Sequence, residues 1–224
     1  MKNTFEEVAT AVLEELIKEV EGKKRVCDDQ YVGIISTACS MVGGVKSGDK
    51  NFDRKFVDDW VGNIKSRPNC VILILESPHK AELKLPDKPA PAKGTTGRNI
   101  GDYLCEIDAM KQYVGYGLVL MNAIQYQCSL GLDPKCVRDK IFAECWKKGG
   151  AKDFEQRLRK TYKPGDVLLN CCTKGKDERG KWVTNVIRNI SKELKINRVI
   201  EGSHPSYWHS RSNLCKEKFI PIEL

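Results

Sequence analysis

The sequence predicts an α/β fold of three layers, an α/β/α sandwich in which helices cover both faces of a central four-stranded parallel sheet. Four short apolar runs have the length and composition of strands buried on both faces: Val71–Leu75, Gly117–Met121, Val167–Cys171 and Arg198–Ile200. Segments with helical periodicity alternate with these runs after residue 70. Because parallel strands need crossover connections, this alternation predicts helices packed on the sheet.

Each predicted helix rests on a start signal or on the spacing of its apolar side chains. Thr4-Phe5-Glu6-Glu7 is a capping box, and Asp133-Pro134 places a proline at a helix start. Helices are predicted at 4–21, 52–65 and 98–112, from residue 133 onward, and between Trp182 and Leu194.

Length and composition predict one domain. The chain has 224 residues, of which 41% are apolar, enough for one sizeable core. We expect residues 70–211 to form the core of a single domain 1–224, with residues 1–69 as a helical extension packed on it. No apolar run approaches the ~20 residues that span a bilayer, and no basic-then-apolar leader is present. The expectation is a cytoplasmic monomer without membrane contact.

Ten cysteines raise the question of a metal site or a disulfide framework. None of them belongs to a Cys-x-x-Cys pair, and several lie in or beside apolar runs, where a free thiol behaves as a small buried hydrophobe. We therefore expect reduced structural cysteines, no metal and no cofactor.

Positive charge is concentrated in two loops. The net charge is +8, and a basic surface favours encounters with polyanions such as nucleic acid. The proline-restricted loop between His79 and Arg98 carries Lys84, Lys88 and Lys93, and a second basic loop spans residues 174–181. We expect Lys84, Lys88, Lys93 and Arg98 to contact DNA phosphates; the alternative for the first loop is a solvated linker.

Polar clusters follow the four apolar runs. They are Glu76-Ser77-Pro78-His79, Asn122-Ala123-Ile124-Gln125, Asn170-Cys171-Cys172-Thr173 and His204-Pro205-Ser206. The carboxyl ends of parallel strands meet at one edge of the sheet, where open α/β sheets bind ligands. The clusters therefore predict a site at that edge, and two of the three histidines lie in them.

The order of these motifs resembles the uracil-DNA glycosylase superfamily over residues 70–211. The shared features are a strand followed by a proline-containing motif, a Gly-x-x-Gly-Arg helix start, a strand ending in Asn and a late His-Pro-Ser loop. His204-Pro205-Ser206-Tyr207 is similar to the H-P-S-Y loop of the branch that carries an iron–sulfur cluster. The first motif matches the G-E-A-P-G of that branch at Glu76 and Pro78, whereas the cluster cysteines have no Cys-x-x-Cys counterpart.

The resemblance implies hydrolysis of the N-glycosidic bond of a flipped-out base, with water as the nucleophile. In that reaction His204 would donate to the leaving base, and Asn122 would read the base edge unless it only ends a strand. The water-activating aspartate of the uracil-specific branch falls on Ser77, so Glu76 or Asp102 must supply the carboxylate.

The resemblance also implies which base and which contacts to expect. His79 replaces the tyrosine that excludes the thymine methyl, which favours a base larger than uracil, such as a bulky modified cytosine of phage DNA, and hence repair or anti-phage defence. Tyr207 and Trp208 are candidates for the side chain that fills the flipped base's place, although Trp208 also suits packing under its loop. Ser77, Ser206 and Ser210 would grip phosphates, and Arg211 would contact the strand.

Two other readings remain open from the sequence. The missing aspartate supports a non-catalytic nucleic-acid-binding module on the same scaffold. Alternatively, Cys171 or Cys172 would act as a nucleophile with His204 as its base. For the glycosylase itself, Lys80 belongs to an exposed loop and should stay protonated, so we expect monofunctional hydrolysis without a Schiff base.

Overall fold

The protein is an α/β structure built on a seven-stranded mixed sheet. A computed structural model describes residues 27–35, 55–56, 67–83, 89–128, 135–172, 179–208 and 219–221. The sheet has the order β2-β1-β4-β3-β5-β6-β7. Its strands are β1 (Gln30–Ile34), β2 (Lys55–Phe56), β3 (Cys70–Leu75), β4 (Gly117–Asn122), β5 (Val167–Asn170), β6 (Val199–Glu201) and β7 (Ile220–Pro221).

The four strands predicted from the sequence lie side by side at the centre of this sheet. β3 pairs in parallel with β4 on one side and with β5 on the other, and β5 pairs in parallel with β6. The prediction of a four-stranded, wholly parallel sheet is nevertheless wrong for the sheet as a whole. β1 and β2 extend it antiparallel beside β4, and β7 extends it antiparallel beside β6.

Two hydrophobic cores cover the two faces of the sheet. Side chains alternate along β3, so that Cys70, Ile72 and Ile74 enter one core while Val71 and Leu73 enter the other. All six residues of β3 are buried, as expected for a central strand covered on both faces.

Helices pack on both faces. They are α1 (Thr95–Tyr103), α2 (Asp108–Lys111), α3 (Lys135–Cys145), α4 (Ala151–Thr161) and α5 (Arg179–Leu194). Buried residues of α1 and α2, among them Ile100 and Met110, belong to one core. Phe142 of α3, Phe154 of α4 and Ile187 of α5 belong to the other, so the molecule has three layers.

Several predicted helices need correction. The helix expected at 52–65 is wrong at Lys55–Phe56, which form β2, and the helix expected at 4–21 lies outside the described residues. The helix expected at 98–112 is split, because Ile107 has an extended backbone between a 3-10 turn and α2. Helix α4 was not predicted at all, since Lys and Arg occupy much of its sequence.

The connections place a topological switch point between β3 and β5. The connection from β3 to β4 crosses one face, whereas those from β4 to β5 and from β5 to β6 run in the opposite direction across the other face. Because both the direction and the face change, all three crossovers share one hand, as the handedness rule requires. In open α/β sheets ligands bind beyond the carboxyl ends of the strands at such a point.

A buried ion pair joins the amino ends of β3 and β5. The guanidinium of Arg67 bonds both carboxylate oxygens of Asp166 and the carbonyl oxygen of Thr161. The Asp166 carboxylate also accepts the backbone N–H groups of Cys70 and Lys163. The Arg67–Asp166 pair therefore holds the amino ends of β3 and β5 together and has a structural role.

The two glycines of the Gly-x-x-Gly motif allow a backbone conformation and a close contact at the start of α1 that a side chain would prevent. Gly94, the N-cap, has φ +86°, a conformation that favours glycine. A Cβ built on Gly97 would lie 1.8 Å from the carbonyl oxygen of Ala92. The absence of a side chain at Gly97 thus lets the preceding turn close against the helix.

We predict opposite effects for two glycine substitutions in α1. Gly97→Ala should destabilise the protein by about 1–3 kcal/mol, because the new methyl meets backbone that cannot move aside. Gly101→Ala is the matched control: its Cβ would have no atom within 4 Å, and alanine should stabilise the helix by up to about 1 kcal/mol. Urea unfolding of both variants measures the difference, and equal stabilities would contradict the close approach.

Candidate functional site

Polar side chains follow the carboxyl ends of β3, β4, β5 and β6, as the sequence predicts. Glu76 follows β3 and His204 lies three residues beyond β6. β3 and β6 are separated by β5 alone, so their ends are two strand spacings, about 10 Å, apart. That distance is on the scale of a nucleoside, and it spans the topological switch point.

The His204 turn fixes the hydrogen-bonding state of the imidazole. His204 is the N-cap of a 3-10 turn, Pro205–Tyr207, and its Nδ1 accepts the backbone N–H of Ser206 at 3.2 Å. The Ser206 hydroxyl lies 2.8 Å from the same nitrogen. An Nδ1 that accepts leaves the proton of the neutral ring on Nε2, so this turn favours the Nε2–H tautomer. The imidazole is therefore set to present an N–H donor on its far side.

Helix α1 is hydrogen-bonded to this turn through the side chain of Asn99. The buried side chain of Asn99 donates from Nδ2 to the carbonyl oxygen of Pro205 at 2.8 Å. The backbone N–H of Trp208 donates to the same oxygen at 3.0 Å. Asn99 is a polar residue on the apolar side of an amphipathic helix, a signal from which the sequence analysis did not assign it to the site.

The two aromatic residues of the loop have different surroundings. Tyr207 is 53% exposed at the tip of the turn. Trp208 is fully buried, donates from its indole nitrogen to the Ser203 hydroxyl at 3.0 Å and packs edge-on against Phe219. The stacking role predicted for Trp208 is therefore corrected to an anchor of the loop, and Tyr207 stays the candidate for contact with bases.

Glu76 takes part in a buried ion-pair cluster at the switch point. Its Oε1 lies 2.6 Å from the guanidinium of Arg179, the first residue of α5, which also lies 2.8 Å from the carboxylate of Asp139. The side chains of Glu76 and Arg179 are nearly inaccessible. Two carboxylates share one guanidinium, and the Glu76 carboxylate is engaged by Arg179.

The rest of the first motif surrounds Glu76. Pro78 is buried, Ser77 is half-buried and His79 is exposed. Asp102, the alternative carboxylate, is half-buried on α1. It lies three residues beyond Asn99, and residues at that spacing share a side of a helix. Asp102 therefore belongs to the same helix as the residue that holds the His204 turn.

Asn122 is buried at the end of β4. Its Nδ2 lies 3.6 Å from Cys27 Sγ, and its Oδ1 is a buried acceptor that has no hydrogen-bond partner among the described residues. The strand end itself is held by Arg157, which donates to the carbonyl oxygens of Asn122 and Ala123 and makes a two-oxygen contact with Asp29. Burial raises the pKa of the Asp29 carboxyl, and Arg157 opposes that rise.

A polar relay that the sequence analysis missed connects β5, α5 and β6. The Asn170 side chain donates to the Thr184 hydroxyl at 3.0 Å, and this hydroxyl donates to the Glu201 carboxylate at 2.8 Å. Asn170 also accepts the backbone N–H of Cys172. The relay fixes the end of β6, three residues before His204.

The surroundings of Cys171 and Cys172 argue against a cysteine nucleophile. Both side chains are buried, and burial raises the pKa of each thiol well above its ordinary value. A thiolate is therefore disfavoured at either position. Within the described ranges seven cysteines are buried, and no group of three or more His, Cys, Asp or Glu residues is arranged to hold a metal ion.

The basic residues expected to contact DNA are only partly within the described structure. Arg98 is exposed on α1, and Lys93 is half-buried just before it. Lys84, Lys88, Ser210 and Arg211 lie outside the described residues. In the part of the chain that the structure covers, no helix is long and apolar enough to cross a membrane.

Comparison of the chain with protein-family models, with curated proteins and with solved structures finds no match.

We predict that neutral His204 is the Nε2–H tautomer. Long-range ¹H–¹⁵N correlation spectra of the imidazole should show Nδ1 with the shift of an unprotonated acceptor, because the Ser206 N–H points at it. In Ser206→Ala the backbone N–H remains and the tautomer should be unchanged. A protonated Nδ1 in the neutral ring would contradict this geometry.

Proposed function

We propose that the protein is a monofunctional DNA glycosylase that hydrolyses the N-glycosidic bond of a flipped-out modified base. The observation that carries the proposal is the His204 turn, whose imidazole accepts a hydrogen bond at Nδ1 and which follows β6, two strands from the end of β3 where Glu76 lies. The resemblance of the motifs to the uracil-DNA glycosylase superfamily supports the same reaction. His79 stands where the uracil-specific enzymes have the tyrosine that excludes larger bases, which favours a substrate base bulkier than uracil.

The proposed reaction needs a donor on one side and a negative charge on the other. The oxygen of a water molecule attacks C1′ of the deoxyribose as the C1′–N bond breaks, and the bond's electron pair leaves with the base. His204 Nε2–H stabilises the departing anionic base by a hydrogen bond, as a preorganised donor does for any developing anion. The water's proton passes to a carboxylate, and an abasic site remains.

The surroundings of the two carboxylates favour a division of their roles. Glu76 accepts from Arg179, which makes it a poor acceptor for a further proton, but an ion-paired carboxylate stays negatively charged and would stabilise the positive sugar. We therefore assign fixed negative charge to Glu76 and proton transfer to Asp102. The buried Oδ1 of Asn122 would accept a hydrogen bond from the base edge.

The proposed DNA contacts lie around the same edge. Tyr207, exposed at the tip of the turn, would stack in the place of the flipped base, a contact worth about 1–3 kcal/mol. Ser206, also exposed, and Arg98 on α1 would contact phosphates.

We predict that His204→Ala slows base release by about 10²–10³-fold at nearly unchanged DNA affinity, because the donor is needed mainly when the leaving base becomes anionic. Single-turnover release is measured on oligonucleotides that carry different modified cytosines and uracils, followed by alkaline cleavage of abasic sites. Asp102→Asn should slow release more than Glu76→Gln.

The outcomes separate the proposal from its competitors. DNA binding by the wild type without release of any tested base would indicate the non-catalytic module. A covalent adduct after borohydride treatment would indicate a lysine nucleophile and a lyase. Full activity in Asp102→Asn together with an inactive Glu76→Gln would return the proton-transfer role to Glu76.

We also predict that Arg98→Gln weakens binding to all DNA sequences alike and lowers the slope of log K against log salt by about 1, as loss of one phosphate contact does. Lys192→Gln is the matched control. Lys192 is exposed in the last turn of α5, about 20 Å along the helix from Arg179 at the site edge. Equal salt slopes for the two variants would exclude Arg98 from the DNA contact.

A further inference from the structure

We infer that Asn99 is a positioning residue for His204, an inference that rests on the proposed function for its catalytic consequence. Asn99 is 5% exposed in the middle of α1, beside the buried Ile100. A buried amide without hydrogen bonds destabilises a protein, so a polar residue in this place needs a structural reason. Its bond to the Pro205 carbonyl supplies that reason.

The Pro205 carbonyl is the point at which the turn is fastened to the helix. Its two lone pairs accept from Asn99 Nδ2 and from the Trp208 backbone N–H. Pro205 directly follows His204. The backbone that carries the imidazole is therefore hydrogen-bonded to α1 at the residue next to His204. The buried Trp208 indole, bonded to Ser203, also anchors the end of this turn.

The helix that carries Asn99 is itself closely seated. The Ala92 carbonyl packs against the bare Cα of Gly97, and Ala92 is held with φ +55°. α1 therefore offers a rigid support for the amide. Without it, the turn keeps its internal bonds and its Trp208 anchor but loses the bond that seats it on α1, so the position from which it presents the His204 Nε2–H should shift. Displacement of a reacting group by about 1 Å costs on the order of 10²-fold in rate.

The side chain at position 99 can be changed without leaving a buried acceptor unsatisfied. In Asn99→Leu the Pro205 oxygen keeps its bond from the Trp208 N–H, so the variant should fold. Asn99→Asp keeps the shape of the side chain but replaces the donor by an acceptor facing the same oxygen. Asn189→Leu, at an exposed position of α5, is the matched control.

The expected result is a loss of rate without a loss of binding. Single-turnover release should fall about 10- to 100-fold in Asn99→Leu and Asn99→Asp and stay at the wild-type rate in Asn189→Leu. Affinity for the same DNA with a 2′-fluorinated, uncleavable target nucleotide should stay within about twofold of the wild type. In a His204→Ala background, Asn99→Leu should cost nothing further, because a residue that acts through His204 has no effect once the imidazole is gone.

A second measurement tests the link to His204 without any catalysis. In wild-type protein the Ser206 amide and His204 Nδ1 should give one set of NMR signals, whereas Asn99→Leu should accelerate Ser206 amide exchange and mix the two tautomers. Additive losses with His204→Ala, or an unaltered rate and spectrum in both Asn99 variants, would overturn the inference. If the wild type releases no base from any substrate, the proposed function fails, and the spectra alone decide whether Asn99 orders His204.

Discussion

The fold depends on the burial of β3. All six of its residues are buried, it is hydrogen-bonded on both sides, and its alternate side chains enter the cores of both faces. A strand in this position cannot shift its register by one residue without moving its side chains to the opposite faces. Glu76, directly after the strand, is therefore fixed at the centre of the carboxyl edge, and the polar ends of the neighbouring strands are fixed relative to it.

Three arginines, of which Arg67 and Arg179 are buried and Arg157 is half-buried, bond to groups at the strand ends. Arg67 joins the amino ends of β3 and β5, Arg157 the carboxyl end of β4, and Arg179 the carboxyl end of β3. Strand ends leave carbonyl groups that need donors, and the five N–H groups of a guanidinium can satisfy several acceptors at once. The arginine at the amino edge bonds a carboxylate and two backbone carbonyl oxygens, whereas Arg179 holds two carboxylates beside the candidate site. A buried arginine thus stabilises the fold at the amino edge of the sheet, whereas at the carboxyl edge it pairs with the carboxylates of the candidate site.

The sequence predicted the central strands because apolar runs of four to six residues, bounded by polar clusters, have few alternatives. It did not predict β1, whose Gln30, Tyr31 and Gly33 form no apolar run, nor β7, which has two residues. Lys55 and Phe56 suited a helix by spacing, but pairing with β1 made them a strand. In the site, His204 and Glu76 were found because residue type and strand ends are local signals. The Arg179 pair, the Trp208 anchor and the Asn99 bond were not found, because they join residues from 5 to more than 100 positions apart.

The chemistry proposed for this edge depends on how the first motif differs from that of the family it resembles. Ser77 stands where the uracil-specific branch has its aspartate, and the carboxylate of Glu76 at the end of β3 is held in an ion pair with Arg179. α1 offers the replacement, because Asp102 lies one turn beyond Asn99. In this reading one helix contributes both the carboxylate that takes the water's proton and the amide that orients the histidine. A single rigid element would then set the distance between the two groups that must act together, which is the geometric condition that proximity in catalysis demands.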